Sequence, residues 1–202
     1  MSLSLRYFED MYAASTDPWG FTDRWYEQRK YALTIASLPR ARYTTGFEPG
    51  CSIGVLTAML ASRCDHLLSI DPVPAAVSAA RERLADQPHV RVRQGQLTDP
   101  WPGAPFGLIV LSEVGYYLDD DELAPTLRRA ADALEPEGDL VAVHWRDQVP
   151  EYPQPGDTVH KVLATTAGIE RLGRHEERDF LLEIYTKTPP PPRSVAQREG
   201  LC

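Results

Sequence analysis

Between Thr45 and Lys187 short apolar runs alternate with amphipathic stretches. TGFE, LLSID, HVRVRQ, GLIVLS and DLVAVHW read as strands, each a brief run of branched, leucine or aromatic residues bounded by glycine, proline or charge. The intervening spacing predicts helices near 53–62, 74–85 and 120–134. In the last, Leu123, Leu127, Ala130, Ala131 and Leu134 share one face, Asp119 to Asp121 sit at the favourable end of the helix dipole, and Pro136 and Gly138 end the run. After a loop holding Pro150, Pro153 and Pro155, Asp157 is placed to cap a helix running to about Ala167. IERLGRHEERDFLLEIYTK then reads as two strands around a turn. The pattern predicts an α/β fold with about seven strands, five joined by crossovers and two forming a closing antiparallel pair.

The flanks differ in texture. Residues 1–40 gather Tyr7, Phe8, Tyr12, Trp19, Phe21, Trp25, Tyr26 and Tyr31 around Asp17-Pro18-Trp19-Gly20, which predicts two helices, roughly 3–14 and 23–37, forming a helical cap or lid. Residues 41–187 make the main domain. The final segment 188–202, TPPPPRSVAQREGLC, has no periodicity and is expected to be a disordered tail. No internal repeat is evident.

Composition narrows the partners. A length of 202 residues fits one domain with a small appendage, and a net charge of -8 leaves no basic stripe for a nucleic-acid backbone. Cys51, Cys64 and Cys202 form no C-x-x-C pair and are odd in number, as expected in a reducing compartment. No stretch has the length and apolarity of a membrane span, and MSLSLRYFEDMY lacks the apolar core of a secretion signal. A cytoplasmic location follows as the expectation. The five histidines and three cysteines show no metal-ligand spacing, so no metal is expected.

The chemistry turns on FEPGCSIGVLTAML, Phe47 to Leu60. Gly50-Cys51-Ser52-Ile53-Gly54 spells the nucleophile elbow of a serine hydrolase, and equally a glycine turn from a strand into a helix that cradles a nucleotide cofactor. A hydrolase needs oxyanion donors and several strands before the elbow; no His-Gly-Gly segment is present and one strand precedes the turn. The cofactor reading needs an acidic side chain at the end of the next strand to meet the ribose hydroxyls, and Asp71 closes LLSID. Glu48 selects among cofactors. Its carboxylate would repel the pyrophosphate of NAD but suits the cationic amino group and sulfonium of S-adenosylmethionine. The third glycine of G-x-G-x-x-G is also missing.

With these segments in hand, the chain resembles a class I S-adenosylmethionine-dependent methyltransferase over about residues 45–187. Glu48-x-Gly50-x-x-x-Gly54 is similar to the first motif, Asp71 to the second, Gly95-Gln96-Leu97 to the adenine-contacting turn, GLIVLSEV to the strand beside the reacting centre and LEPEGDL to the turn after it. The resemblance implies a Rossmann-like sheet. It also implies cofactor contacts from Glu48, Gly50, Cys51, Gly54, Asp71, Pro72, Gln96, Leu97 and Ser112, with Trp19 folding over from the lid. DPWGFTDRWYEQRKYAL, EPGCSIGVLT, LSEVGYYL and HWRDQVPEYPQPGDTVH are, more narrowly, similar to the nodulation protein S (NodS) family, whose members N-methylate the free amine of a deacetylated chitin oligosaccharide. That likeness implies a small-molecule or saccharide amine as acceptor. Three positions depart from the common pattern: Ser52 replaces a glycine, Gln96 an acidic residue, and Gly107 an aspartate.

Candidate catalytic groups follow from the sheet's carboxyl edge, where open α/β sheets bind ligands. Glu113 past GLIVLS is the first candidate to hold or deprotonate an amine, and a solvated carboxylate is the plainer role. Tyr116 and Tyr117 are placed to wall the pocket and face a cation. His144 at the end of the fifth strand is a second base candidate, as against a core histidine, and His160 a third. A small-molecule O-methyltransferase, a non-catalytic binding protein of the same fold and a Ser52 hydrolase stand as alternatives. Oligomeric state is not legible.

Overall fold

The computed structural model describes residues 1–101, 103 and 105–202. In chain order the described elements are α1 (Leu5–Ala14), α2 (Trp25–Ala36), β1 (Tyr43–Pro49), α3 (Val55–Ala61), β2 (Cys64–Asp71), α4 (Pro74–Arg83), β3 (Val90–Gln94), β4 (Phe106–Ser112), a 3-10 turn (Gly115–Tyr117), α5 (Asp120–Ala133), β5 (Leu134–Trp145), α6 (Gly156–Leu163), β6 (Ile169–Glu176), β7 (Phe180–Lys187) and α7 (Val195–Arg198). The strands form one sheet in the order β3-β2-β1-β4-β5-β7-β6. β1 to β5 run parallel, and β7 lies antiparallel to both β5 and β6. The α/β sheet expected from the alternating pattern is present, with its antiparallel closure.

Both faces are covered, which explains why the central strands read as unbroken apolar runs. Along β4, Leu108 and Val110 pack into the core beneath α2 and α3, while Ile109 and Leu111 enter the core beneath α5 and α6. From β1 the chain winds outward through β2 and β3, then returns to β1's other side through β4. That reversal opens a crevice at the carboxyl ends of β1 and β4, the standard ligand position in such sheets.

Three boundaries differ from expectation for physical reasons. Helix α5 ends at Ala133 and Leu134, buried as predicted, already begins β5. Asp157 does not cap α6. Pro155 occupies the cap position without a side-chain bond, and Asp157 instead receives Arg146 Nε at 2.8 Å and Nη2 at 2.9 Å, a two-pronged contact stronger than a single cap bond. In the C-terminal segment, Ser194 and Gln197 form a capping box and Arg198 reaches the fully buried Asp139 with two bonds of 2.8 and 2.9 Å. A buried carboxylate demands a counter-charge, and the tail supplies it.

Candidate active site

The turn from β1 into α3 is built on left-handed backbone at three residues, Gly50 (φ 79°), Ser52 (φ 51°) and Gly54 (φ 79°). Two require glycine for space as well. A Cβ on Gly50 would lie 2.2 Å from Val114 Cγ1, and one on Gly54 would lie 3.0 Å from Ala80 Cβ and 3.2 Å from its Cα. Gly54 thus serves the approach of α3 to α4, and only Gly50 of the two glycines lines the cavity. Ser52 accepts its strained conformation, of order 1 kcal/mol, and its hydroxyl meets that of Tyr12 on α1.

Asp71 organises the neighbouring turn. One carboxylate oxygen accepts the Ser52 N–H at 2.8 Å and the other the Val73 N–H at 3.0 Å. Burial against those two bonds pushes its carboxyl up to about 6. Glu48, 2% exposed, accepts from Thr57 Oγ1 at 2.6 Å and Ser69 Oγ at 2.9 Å. Burial raises it to about 7, with Asp71 adding to the rise and the two hydroxyls opposing it. Two buried carboxyls with raised affinity for protons face one cavity of about 280 Å³.

That cavity collects most of the expected cofactor residues. Glu48, Gly50, Cys51, Asp71 and Pro72 line it from one side, Gln96, Leu97 and Ser112 from another, and Trp19 closes over it. Trp19 stacks on Phe21 and meets Tyr12 edge-on. Phe8 of α1 touches Tyr117 edge to face at 4.9 Å, and Leu3 N–H donates to Tyr117 O at 2.9 Å. Helix α1 has no buried residue of its own; it is held by what it covers.

Beyond the end of β4, Glu113 and Tyr117 reach the cavity. Glu113 stands in left-handed backbone at φ 58°, and its carboxylate is already engaged. Lys30 Nζ donates to Oε1 at 2.6 Å, while the Trp145 N–H, at 2.9 Å, and the Tyr116 hydroxyl donate to Oε2. Lys30 is itself 2% exposed, lies 2.9 Å from Glu27 and sits 4.9 Å from the Tyr26 ring centroid. Burial works to strip its proton, yet Glu113 and Glu27 outweigh burial and hold its ammonium above its ordinary range.

His144 and His160 do not line the cavity. Both are buried and bonded to each other, so the geometry does not bring them to a reacting atom. Among the described residues no histidine lines the cavity, and the Ser52 hydroxyl is paired with a tyrosine, an arrangement unsuited to a serine nucleophile. Sequence reasoning missed Lys30, and placed Tyr12, Phe21 and Tyr31 only in the aromatic cap as a whole, where the structure brings all three to the cavity wall. Lys30 is three residues from Glu27, an ordinary helical ion-pair spacing, and nothing local announces that its main partner lies at position 113.

Order of strands, glycine turn, acidic end of β2 and crevice position together define a class I methyltransferase fold. The profile of the family described as Nodulation protein S (NodS) matches residues 8–162, and the chain belongs to that family. Nodulation protein S of Sinorhizobium fredii (strain NGR234) is 32% identical over 130 residues, covering 63% of this chain and 60% of the relative. The chain spans between 57% and 66% of the length of the curated relatives it matches. Among solved structures, the N-methyltransferase NodS of Bradyrhizobium japonicum WM9 in complex with S-adenosyl-L-homocysteine superposes with a TM-score of 0.82 at 26% identity, covering 92% of this chain and 98% of that one. A Pseudomonas syringae protein assigned as a methyltransferase is 48% identical, with a TM-score of 0.72 and coverage of 81% and 100%.

Proposed function

We propose that the chain transfers a methyl group from S-adenosylmethionine to the neutral amine of a small amino-sugar or related acceptor. The observation that carries this reading is the pair of buried carboxyls, Glu48 and Asp71, facing one cavity. A cofactor with a cationic amino group and two ribose hydroxyls satisfies both, and Gly50, having no side chain, lines the cavity with its backbone. When bound, that cofactor supplies a methyl group on a sulfonium leaving group. Asp71 would accept from the ribose hydroxyls, Glu48 would hold the amino group, and Gln96 with Leu97 would meet the adenine, the Gln96 amide oxygen being able to accept its amino hydrogen.

The acceptor end suits an amine. An amine must be neutral to attack; burial against the rings of Tyr12, Trp19, Phe21 and Tyr117 disfavours the ammonium form, and Lys30 on Glu113 offsets the pull of that carboxylate toward it. Glu113 holds and orients the amine. Its carboxylate already accepts three hydrogen bonds, so it is a poor base for an alcohol, which favours N- over O-methylation. Tyr117 offers a ring face to positive charge developing on nitrogen. Alignment and exclusion of water then supply the acceleration. The free cysteines Cys51, Cys64 and Cys202 support a reducing, cytoplasmic setting, and the net charge of -8 argues against a nucleic-acid acceptor.

The test is calorimetric titration with S-adenosylhomocysteine, followed by incubation of the protein with S-adenosylmethionine and a fully deacetylated chitin oligomer or simpler amines. Binding followed by a product one methyl group heavier at nitrogen supports the reading. Methylation at oxygen, or no affinity for S-adenosylhomocysteine in protein cleared of carried-over ligand, overturns it.

A further inference from the structure

Behind the acceptor wall runs a buried chain of polar groups that the methyl transfer does not use. The Gly115 N–H donates to His144 Nε2 at 3.1 Å, His144 Nδ1 lies 3.1 Å from His160 Nε2, and His160 Nδ1 lies 2.8 Å from Glu183 Oε2. His144 and Glu183 are fully buried and His160 is 4% exposed. Glu183 also accepts from the Tyr185 hydroxyl and from Arg171, both at 2.7 Å, the arginine reaching in from the sheet's outer strand. Five elements are thereby threaded: the 115–117 turn, β5, α6, β7 and β6.

The first bond fixes the rest. An amide can only donate, so His144 Nε2 carries no proton; burial, with His160 and Lys30 adding, holds that imidazole well below its ordinary range, and its one proton sits on Nδ1. That proton points at His160 Nε2, which therefore accepts, and His160 places its own proton on Nδ1 toward Glu183. Each nitrogen has one role and the carboxylate orients the series, as a carboxylate does for a catalytic or metal-bound imidazole. Gly115 is matched to this partner: a Cβ there would meet His144 Nε2 at 3.0 Å and Val159 Cγ1 at 2.6 Å.

We infer that His144 and His160 are positioning residues, which hold the Gly115 amide and so set the wall from Glu113 to Tyr117 against which the acceptor packs. The wall needs a fastening. Glu113 is in left-handed backbone, and the turn after it presents Tyr117 to the cavity; Lys30 and the Trp145 N–H secure one end, and the histidine pair secures the other. Neither imidazole touches the cavity, so their effect on reaction passes through the wall.

Two measurements on the full chain decide the matter. Nitrogen-15 correlation spectra of the imidazoles at neutral pH are expected to show both rings neutral with the proton on Nδ1; a proton on His144 Nε2 overturns the inference. For His144→Leu, amide exchange at Gly115 to Tyr117 is expected to rise about tenfold. The acceptor KM is expected to rise by a similar factor, since small misplacement of a positioning group costs that much or more, while the Kd for S-adenosylhomocysteine moves less than about twofold. His144→Gln, whose amide oxygen can take the Gly115 N–H, is expected to recover most of both losses. Unchanged exchange in the leucine variant, or no recovery with glutamine, overturns the proposal. Should His144→Leu not fold, His160→Leu and His160→Gln make the same comparison. The KM arm rests on the proposed amine methylation; the spectra and exchange do not, so a wild-type protein that methylates none of the amines tried would count against that function alone.

Discussion

The two ends of the cavity are built on different principles. At the cofactor end, backbone N–H groups and short local turns do the holding: Ser52 and Val73 N–H on Asp71, and Gly50 and Cys51 N–H on Ile70 O. At the acceptor end, side chains from distant elements meet underground, with Lys30 of α2 on Glu113 and His144 of β5 on Gly115. The first arrangement draws on two short segments, 50–52 and 70–73, at the ends of the paired strands β1 and β2. The second rests on an ion-pair cluster, Lys30 with Glu27 and Glu113, so its parts stand or fall together.

The sharpest test of that contrast is Lys30→Met, which leaves buried Glu27 and part-buried Glu113 without their ammonium. Removing one partner of a buried pair costs about 3–5 kcal/mol, to be read from urea denaturation, and adding Glu113→Gln should return part of it. Additive losses in the double variant would show that the acceptor end is not a coupled unit. Asp71→Ala should act on the other end, weakening S-adenosylhomocysteine by about 1–3 kcal/mol in calorimetry; unchanged affinity would remove Asp71 from the site. Glu113→Gln alone should slow turnover while leaving S-adenosylhomocysteine affinity within about twofold of wild type, and an undiminished rate would free Glu113 of any role in holding the amine.

The smallest expected effect is a proton count. Glu48 and Asp71 stand near 7 and 6 in the folded protein, against ordinary values of 4.5 and 3.8. Raised carboxyls mean that the folded chain keeps protons the unfolded chain has released. Their contribution to stability is complete below the unfolded values and is lost as pH rises through 6 and 7. A ligand bringing an ammonium and hydroxyl donors favours the ionised forms. Binding of S-adenosylhomocysteine should therefore release protons between about pH 6 and 7, measurable in buffers of unequal ionisation enthalpy, and Glu48→Gln should remove the upper part of that release. A proton count of zero across the window would mean that neither carboxyl faces the ligand's donors.

The contrast also explains what was legible. The strands themselves, the Gly50 turn and Asp71 follow from short runs and their spacing, because backbone turns are encoded where they occur, and Gln96 follows from the family resemblance. The order of the strands in the sheet comes from the structure. Glu113 was visible as a carboxylate at a strand end. Its saturation by Lys30, 83 residues away, was not, because only the folded sheet brings α2 over the end of β4. His144 and His160 illustrate the reverse: residue type suggested a base, and burial assigned them elsewhere. Asp139 offered no hint that Arg198 would come back for it.

Gly50 and Val114 sit on opposite sides of the division drawn above, yet nothing separates them, since a single added carbon on Gly50 would collide with the valine at 2.2 Å. Interiors this tightly packed pass a push along instead of absorbing it. Val114, flanked in the chain by Glu113 and Gly115, is therefore the point where the 50–54 turn and the wall behind the acceptor share one packed contact.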